Sequence, residues 1–535
     1  MTRPAEPHLA ALAAKLIGSR KGLTAAERAL IDSTICLTED EVAEARASIV
    51  AGDDPLGSLF LAIRSAEMRR ARGAVYTPTG IVAAMLDWAE AEPGASPSRI
   101  LDPGSGSGRF LLAAAKRFPA ATLVAVEIDP LASLLLRANA AVLGFSARLK
   151  VHVGDYRTLK LPAIEGRTLY IGNPPYVRHH DISEAAKTWF AATAARFGFK
   201  ASKLAGLHVH FFMRTRELAK PGDYGAFITS SEWIDVNYGS AVRAMLADGL
   251  GGTSLHVLDP SAHPFEGTMT TGAIACFRVG NRPEMFSVRQ VASIEALSPL
   301  SQGKPLSWST VQGAQRWSTL MHPIRRKPSG VIELGELFRV HRGQVTGMNA
   351  VWIAGADHPH IHHIPVRYLV PSITRARELI SAGNELKSAA RLKRVIDLPA
   401  DLDELTAAER RTLQAFLKWA RGQGADEGFI ATHRRAWWSV GLREPPPILA
   451  TYMARSAPTF VRNSAHASFV NIAHGLYPRQ PMTTAQLEGV LRYLRQTVGT
   501  ADGRSYAGGL VKFEPREVER LFIPDPSTLS QNISA

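Results

Sequence analysis

The chain has 535 residues, and its 62 Lys and Arg against 48 Asp and Glu give a formal net charge of +14. A hydrophobic content of 46% and a charged content of 21% exclude wholesale disorder, and the length predicts two or three domains. The basic excess favours a nucleic acid partner, while the two cysteines exclude a disulfide framework and a cysteine-rich zinc site and suit a reducing cytoplasm.

The first 70 residues are predicted to form an N-terminal helical segment, because Ala, Leu, Glu and Arg dominate them. Thr24 and Glu27 are spaced as a capping box at the start of one helix. Leu9–Ile17 is interrupted by Lys15 and is interpreted as an amphipathic helix rather than a signal peptide. The sequence contains no run of about eighteen apolar residues, so we expect no membrane-spanning helix and no membrane partner.

From Ser98 onward, short apolar strands that end in a polar residue alternate with helical stretches. This alternation predicts an α/β fold with a doubly wound, parallel, Rossmann-like sheet in a domain of residues 71–285, and a ligand outside the carboxyl ends of its strands. The predicted strands are Arg99–Asp102, Thr122–Glu127, Val151–Asp155, Thr168–Asn173, Gly225–Thr229 and Gly272–Phe277.

The remainder of the chain lacks this alternation. Residues 286–330 are rich in Ser, Gln and Pro and are predicted to form a connector. Residues 331–535 mix short apolar runs with Arg, His and aromatic residues, and the clearest helical interval among them is Asp401–Ala420. We therefore expect a C-terminal α+β domain.

Acidic residues and glycines gather at the predicted strand ends. The turn from Asp102 to Gly108 has glycine at alternate positions, which permits a close approach of the backbone to a ligand, but Arg109 breaks the dinucleotide-binding pattern. Glu127 follows at the spacing at which a carboxylate accepts hydrogen bonds from ribose hydroxyls. Asp155 ends the next strand, where it can accept from an adenine amino group.

The most specific motif is Asn173-Pro174-Pro175-Tyr176, which follows a predicted strand. The exocyclic amine of adenine is a poor nucleophile because its lone pair is delocalised into the ring. An Asn oxygen and the next carbonyl, fixed by stiff prolines, can accept from both N–H groups and expose that lone pair. Tyr176 offers an aromatic face on which a base can stack.

With these motifs the sequence resembles the class I S-adenosylmethionine-dependent methyltransferases. The segment Gly73–Pro78 resembles the element with which DNA adenine methyltransferases hold the methionine end of the cofactor, and Thr77 and Pro78 also have the pattern of a helix cap and first helical residue. The resemblance implies a set of cofactor-binding residues: Tyr76, Thr77, Pro78, Asp102, Pro103, Gly104, Gly106, Gly108, Glu127, Ile128, Asp155 and Tyr156.

The order of the motifs resembles the gamma class of DNA N6-adenine methyltransferases, including the Eco57I-like and TaqI-like restriction-modification methylases. This resemblance implies that residues 331–535 recognise double-stranded DNA, with Arg342–Gly347 near their start. It also implies that Phe265 stacks on the flipped target base together with Tyr176. A restriction endonuclease, where one exists, is expected to be a separate protein.

Two alternatives share the catalytic motif, namely methyltransferases of ribosomal RNA bases and of protein glutamine side chains. They usually lack a long basic C-terminal region, which favours DNA. Cytosine C5 methylation is excluded, because neither Cys36 nor Cys276 lies beside a proline. No metal site is expected, since the pairs His179-His180 and His362-His363 lack a spaced carboxylate or cysteine set.

Overall fold

The computed structural model describes residues 6–64, 77–259, 271–280, 283–321, 330–506 and 510–525. The chain divides into two compact units. The first comprises Met1–Ile324 with Tyr506–Gly509, and the second comprises Arg325–Ser505 with Leu510–Ala535. No helix within the described ranges combines the length and the apolar surface that crossing a bilayer requires.

The first unit begins with a layer of helices. Thr24 opens one of them with the predicted capping box, since its Oγ1 accepts from the Glu27 N–H at 3.2 Å and its own N–H donates to Glu27 Oε2 at 2.7 Å. The apolar faces of the layer pack on Leu131 and Leu135 of a later helix. The helices are α1 (Glu6–Ile17), α2 (Ala25–Ala29), α3 (Glu39–Ala51) and α4 (Pro55–Ile63).

A nine-stranded sheet follows in the order β3-β2-β1-β4-β5-β7-β6-β8-β9. Its strands are β1 (Arg99–Pro103), β2 (Thr122–Glu127), β3 (Leu149–Val153), β4 (Thr168–Gly172), β5 (Tyr224–Ser230), β6 (Gly252–Leu258), β7 (Gly272–Arg278), β8 (Met285–Val291) and β9 (Lys304–Ser307). The accompanying helices are α5 (Thr79–Ala91), α6 (Arg109–Arg117), α7 (Pro130–Val142), α8 (Glu184–Arg196), α9 (Leu207–Leu218), α10 (Ser240–Ala247) and α11 (Trp308–Gly313).

Helices cover both faces of the sheet, as the doubly wound prediction requires. Leu101 and Tyr170 point into the core beneath α8 and α9, whereas Ile100 and Ile171 point into the core beneath α5 and α6. This alternation follows from the two-residue period of a strand. Strands β1 to β5 are parallel, and β7 pairs antiparallel with both β5 and β6.

The segment that the sequence predicted as a connector is structured differently. Strand β8 pairs parallel with β6, β9 pairs antiparallel with β8, and α11 follows directly. Phe286, Val288 and Trp308 are buried in the same core as the parallel strands. Ser, Gln and Pro also occur within these elements, so composition alone did not indicate the apolar positions that become buried.

The second unit mixes small sheets with helices, as expected for an α+β domain. Its described strands form one two-stranded, one three-stranded and two four-stranded sheets. The predicted helical interval begins later than expected, at Ala407, because Thr406 caps the helix. The helices are α12 (Leu334–Leu337), α13 (Asn349–Trp352), α14 (Ala376–Ala382), α15 (Ala407–Gly422), α16 (Phe429–Thr432), α17 (Thr484–Thr497) and α18 (Pro515–Glu519).

The strands of the second unit are short. They are β10 (Val331–Glu333), β11 (Phe338–Arg342), β12 (Ile353–Ala354), β13 (Leu369–Ile373), β14 (Arg394–Ile396), β15 (Ile448–Thr451), β16 (Met453–Ala454), β17 (Phe460–Arg462), β18 (Ser468–Phe469), β19 (Ala473–Pro478), β20 (Arg504–Tyr506), β21 (Leu510–Lys512) and β22 (Phe522–Pro524). Helix α17 packs Leu487 and Leu491 in one core with Phe338, Ile448 and Leu476 of the β11-β19-β15-β17 sheet.

Candidate active site

A cavity of about 200 Å³ lies at the carboxyl ends of β1, β2 and β4. This is the edge at which a doubly wound sheet binds its ligand. Ten of the residues predicted from the sequence line it: Thr77, Asp102, Gly104, Gly106, Glu127, Ile128, Asp155, Tyr156, Asn173 and Pro175.

The glycine turn forms the floor of this cavity. Gly104 and Gly106 have φ values of +77° and +53°, which residues with a side chain rarely adopt. A Cβ on Gly106 would point into open space. The N–H of Gly104 donates to the Val126 carbonyl at 2.8 Å, which ties the turn to β2. Gly108 also has a positive φ, +98°, and a Cβ there would lie 3.0 Å from Leu112.

Asp102 is the most deeply buried acid of the site, with 1% of its surface exposed. Burial, together with the charge of Glu127, raises the pKa of its carboxyl well above the usual range. Its Oδ1 has no hydrogen-bond partner in the described part of the chain, and a Cβ on Gly172 would come within 2.4 Å of that atom. Such a carboxyl is suited to receive a cationic or N–H-bearing ligand.

The other two acids predicted from the sequence already accept hydrogen bonds from the protein. Glu127 accepts from the N–H groups of Gly106 and Asp129 at 2.8 and 2.9 Å. Asp155 accepts from the backbone and the guanidinium of Arg157, at 2.5 to 2.9 Å. Burial would raise the pKa of Asp155, but the hydrogen bonds and charge of Arg157 lower it below the ordinary value.

Two further residues flank the adenine end that the resemblance implies. Ile128 directly follows β2 and is 64% exposed, which is unusual for an isoleucine and leaves an apolar face open to a ligand. Tyr156 lines the cavity but directs its hydroxyl inward, to Thr215 Oγ1 at 3.0 Å.

Asn173 lies directly beyond β4, next to the glycine turn. A Cβ on Gly104 would be 3.3 Å from Pro175 and 3.9 Å from the Asn173 carbonyl. The Asn173 side chain donates through Nδ2 to Thr77 Oγ1 at 2.9 Å. Its buried Oδ1 has no hydrogen-bond partner among the described residues. The amide is therefore held by one end and presents an acceptor at the other.

This contact corrects the sequence interpretation of Thr77 and Pro78. The helix begins at Thr79 with Pro78 as its N-cap residue, and no side chain caps it. Thr77 is 3% exposed and uses its hydroxyl for Asn173 instead. The expected threonine cap is therefore absent, although both residues lie at the start of the helix.

Tyr176 packs partly against the core beneath α5 and α6. Burial raises the pKa of the Tyr176 hydroxyl well above the usual range. Interaction with the Asn173 side chain lowers this pKa by a smaller amount. The ring of His208 stands edge-on to the tyrosine ring, with 6.5 Å between centroids.

The remaining predicted residues lie elsewhere. Five that the structure describes do not line the cavity: Pro78, Pro103, Gly108, Pro174 and Tyr176. Tyr76 and Phe265 lie outside the described residues. Within the described ranges, no three His, Cys, Asp or Glu side chains are grouped as metal ligands would be.

Sequence reasoning missed one wall of the cavity. Gly57, Phe60 and Leu61 of α4 line it, although the N-terminal helices were expected to form a separate segment. The apolar run of α4 could have indicated a buried helix, but not the partner against which it packs. Arg157 was also missed, because a residue two positions after an acid gives no signal of a bidentate ion pair.

Two family models match the chain. The Eco57I restriction-modification methylase model matches residues 168–258, and that of the Type II methyltransferase M.Eco57I C-terminal domain matches residues 308–535. Type II methyltransferase M.XamI of Xanthomonas campestris pv. amaranthicola is 51% identical over 99% of this chain and 100% of its own length.

Two further comparisons are more limited. A tRNA1(Val) (adenine(37)-N6)-methyltransferase of Porphyromonas gingivalis is 39% identical over 95 residues, which are 17% of this chain and 37% of that protein. The crystal structure of the type IIG restriction endonuclease BpuSI aligns with 90% of this chain and 63% of its own, at 16% identity and a TM-score of 0.46.

Proposed function

The chain belongs to the Eco57I family of restriction-modification methylases, and we propose that it transfers the methyl group of S-adenosylmethionine to N6 of an adenine flipped out of a specific sequence in double-stranded DNA. Methylation would protect that sequence from a separate restriction endonuclease in the cytoplasm. The near full-length identity to a Type II methyltransferase supports the reaction class. The local identity to a tRNA adenine N6-methyltransferase supports adenine N6 as the acceptor.

The residues around the cavity fit the cofactor. The buried, unpartnered Asp102 oxygen suits the α-ammonium group of the methionine part of S-adenosylmethionine. The open space beside the Gly106 backbone would leave room for the methionine chain. Glu127 would bind the ribose, and the exposed Ile128 would cover one face of the adenine. When bound, S-adenosylmethionine supplies a methyl group made electrophilic by its sulfonium.

The observation that carries the proposal is the buried, unpartnered Oδ1 of Asn173. An amino group that enters the site donates one N–H to this oxygen and the other to the carbonyl of Pro174. Both bonds favour a pyramidal nitrogen, which directs its lone pair toward the donor. Thr77 supports this orientation of the amide, because its hydroxyl accepts from Nδ2 at 2.9 Å.

An adenine within a duplex cannot reach this site, so the base must leave the stack at a cost of a few kcal/mol. Stacking on Tyr176 would recover part of this cost, since base–aromatic stacking is worth about 1–3 kcal/mol. We assign the second stacking position to Phe265, as the resemblance implies. The second unit would bind the DNA and recognise its sequence, because the match to the C-terminal domain model covers residues 308–535.

The test is methyl transfer to three substrate classes. We expect the purified chain with labelled S-adenosylmethionine to modify double-stranded DNA, and nucleoside mass spectrometry to identify N6-methyldeoxyadenosine. Asn173→Ala should abolish transfer while retaining cofactor binding. Asn237→Ala, at an exposed asparagine of the first unit, is the matched control and should retain transfer. Transfer to RNA or to a glutamine-bearing protein, without transfer to DNA, would contradict the proposal.

A further inference from the structure

Asp54 connects the N-terminal helices to the glycine turn. It is the N-cap residue of α4, and its Oδ1 accepts from the Gly57 N–H at 2.8 Å. Its Oδ2 accepts from Ser107 Oγ at 2.6 Å and from Arg109 Nε at 3.0 Å. The carboxylate is only 11% exposed, and both Ser107 and Arg109 line the cofactor cavity. One carboxylate thus caps a helix and holds two residues of the turn.

A second arm of the same network reaches the catalytic amide. Arg109 Nη1 donates to the Thr77 carbonyl at 3.2 Å. The Thr77 hydroxyl in turn accepts from Asn173 Nδ2 at 2.9 Å. A continuous series of contacts therefore runs from Asp54 through Arg109 and Thr77 to Asn173. It connects the N-terminal helices both to the glycine turn, which would bind the cofactor, and to Asn173, which would bind the target amine.

Gly57 gives independent support for a close contact between α4 and the glycine turn. Glycine is among the least favourable residues in a helix, yet it occupies the first turn of α4. A Cβ at this position would lie 2.2 Å from Asp54 Oδ2 and 2.6 Å from Ser107 Oγ. Only a hydrogen atom fits between α4 and the glycine turn, so this position requires glycine despite its low helix propensity.

We propose that Asp54 is a positioning residue for the methyl transfer. Through Ser107 and Arg109 it fixes the glycine turn that binds S-adenosylmethionine. Through Arg109 and Thr77 it fixes the orientation of the Asn173 amide. This inference rests on the proposed function, and it makes the start of α4 part of the donor site.

The test compares Asp54→Asn with Thr38→Ala in the full-length protein. Asparagine caps a helix as well as aspartate does, so the substitution keeps the cap and removes the charge that pairs with Arg109. We expect the Kd for S-adenosylmethionine, measured by calorimetry, to rise roughly tenfold to a hundredfold. The kcat at saturating cofactor and DNA should fall roughly twofold to tenfold. Thr38→Ala removes the N-cap of α3 and should change neither value.

A double-mutant cycle separates positioning from a general loss of structure. If Asp54 acts on Asn173 through Thr77, Asp54→Asn should lower kcat in the wild-type background but not further in a Thr77→Val background. Gly57→Ala tests the close contact between α4 and the glycine turn without changing the Asp54 carboxylate. It should weaken cofactor binding although alanine favours helices.

Three results would overturn the inference: wild-type Kd and kcat in Asp54→Asn, equal losses in Thr38→Ala, or fully additive kcat effects in the cycle. Each of these would leave the proposed function intact. Failure of the wild-type chain itself to bind S-adenosylmethionine or to methylate DNA would instead refute the proposed function.

Discussion

Thr77→Val is the perturbation that most directly tests how the catalytic amide is held. Valine has nearly the shape of threonine but lacks the hydroxyl that accepts from Asn173 Nδ2 at 2.9 Å. The Thr77 side chain is 3% exposed, so water cannot readily replace the lost acceptor. Without it the amide can rotate, and its oxygen is no longer directed at the target amine.

The magnitude follows from the cost of a buried donor without a partner, about 1–3 kcal/mol. Because each 1.36 kcal/mol of lost transition-state stabilisation is about a tenfold change in rate, kcat should fall roughly fivefold to 160-fold. The affinity for S-adenosylmethionine should change less than kcat does. The Arg109 contact uses the backbone carbonyl of residue 77, which valine retains.

Single-turnover methylation of a DNA duplex, with cofactor saturating, measures this effect. Thr77→Ser is the matched control, because serine keeps the hydroxyl and should stay near the wild-type rate. Wild-type turnover in Thr77→Val would refute the positioning argument. Equal losses in the serine and valine variants would refute it as well, since they would point to packing rather than to the hydrogen bond.

Three further predictions concern the cofactor, the DNA and the second unit. Burial and the charge of Glu127 raise the pKa of Asp102 well above its ordinary value, so S-adenosylmethionine binding should weaken as the pH falls through that raised pKa and should release a proton in the same range. Calorimetry in buffers of different ionisation enthalpy measures this, and Asp102→Asn should abolish it. Binding of DNA by the intact chain should follow salt with a log–log slope of about −5 to −9, for roughly 5–10 neutralised phosphates; a flat filter-binding series would contradict this. Asn463→Ala should destabilise the second unit by about 2–4 kcal/mol in chemical unfolding, because Asn463 is buried and bonds the Pro446 carbonyl and both backbone groups of Ala467 at 2.8 to 3.0 Å; an unchanged midpoint would argue against that role.

The parallel half of the sheet could be predicted from the sequence because its signals are local. The apolar run Thr122–Glu127 coincides with β2, and the strands at Arg99 and Thr168 begin where the pattern placed them. The same runs place Asp102, Glu127 and Asn173 at one edge, since parallel strands share their carboxyl ends. The cavity lining confirms that these three residues lie together.

The features that were missed depend on long-range packing. Strand β8, on which β9 pairs, packs Phe286 and Val288 into a core formed by residues far away in sequence. A local sequence pattern does not indicate where that core lies. The role of Asp54 depends on contacts with Ser107 and Arg109, more than fifty positions away in sequence. Thr77 looked like a helix cap because its partner, Asn173, is 96 positions away in sequence.

The central claim is that Asn173 presents its oxygen to an adenine amine in DNA. The most direct measurement is nucleoside mass spectrometry, with methylation-sensitive sequencing, of DNA from cells that express the wild-type chain or Asn173→Ala. We expect N6-methyldeoxyadenosine at one recurring sequence in the wild type and its absence in the variant, whose cofactor affinity stays near the wild-type value. N4-methyldeoxycytidine in place of methylated adenine, or unchanged methylation in the variant, would contradict it.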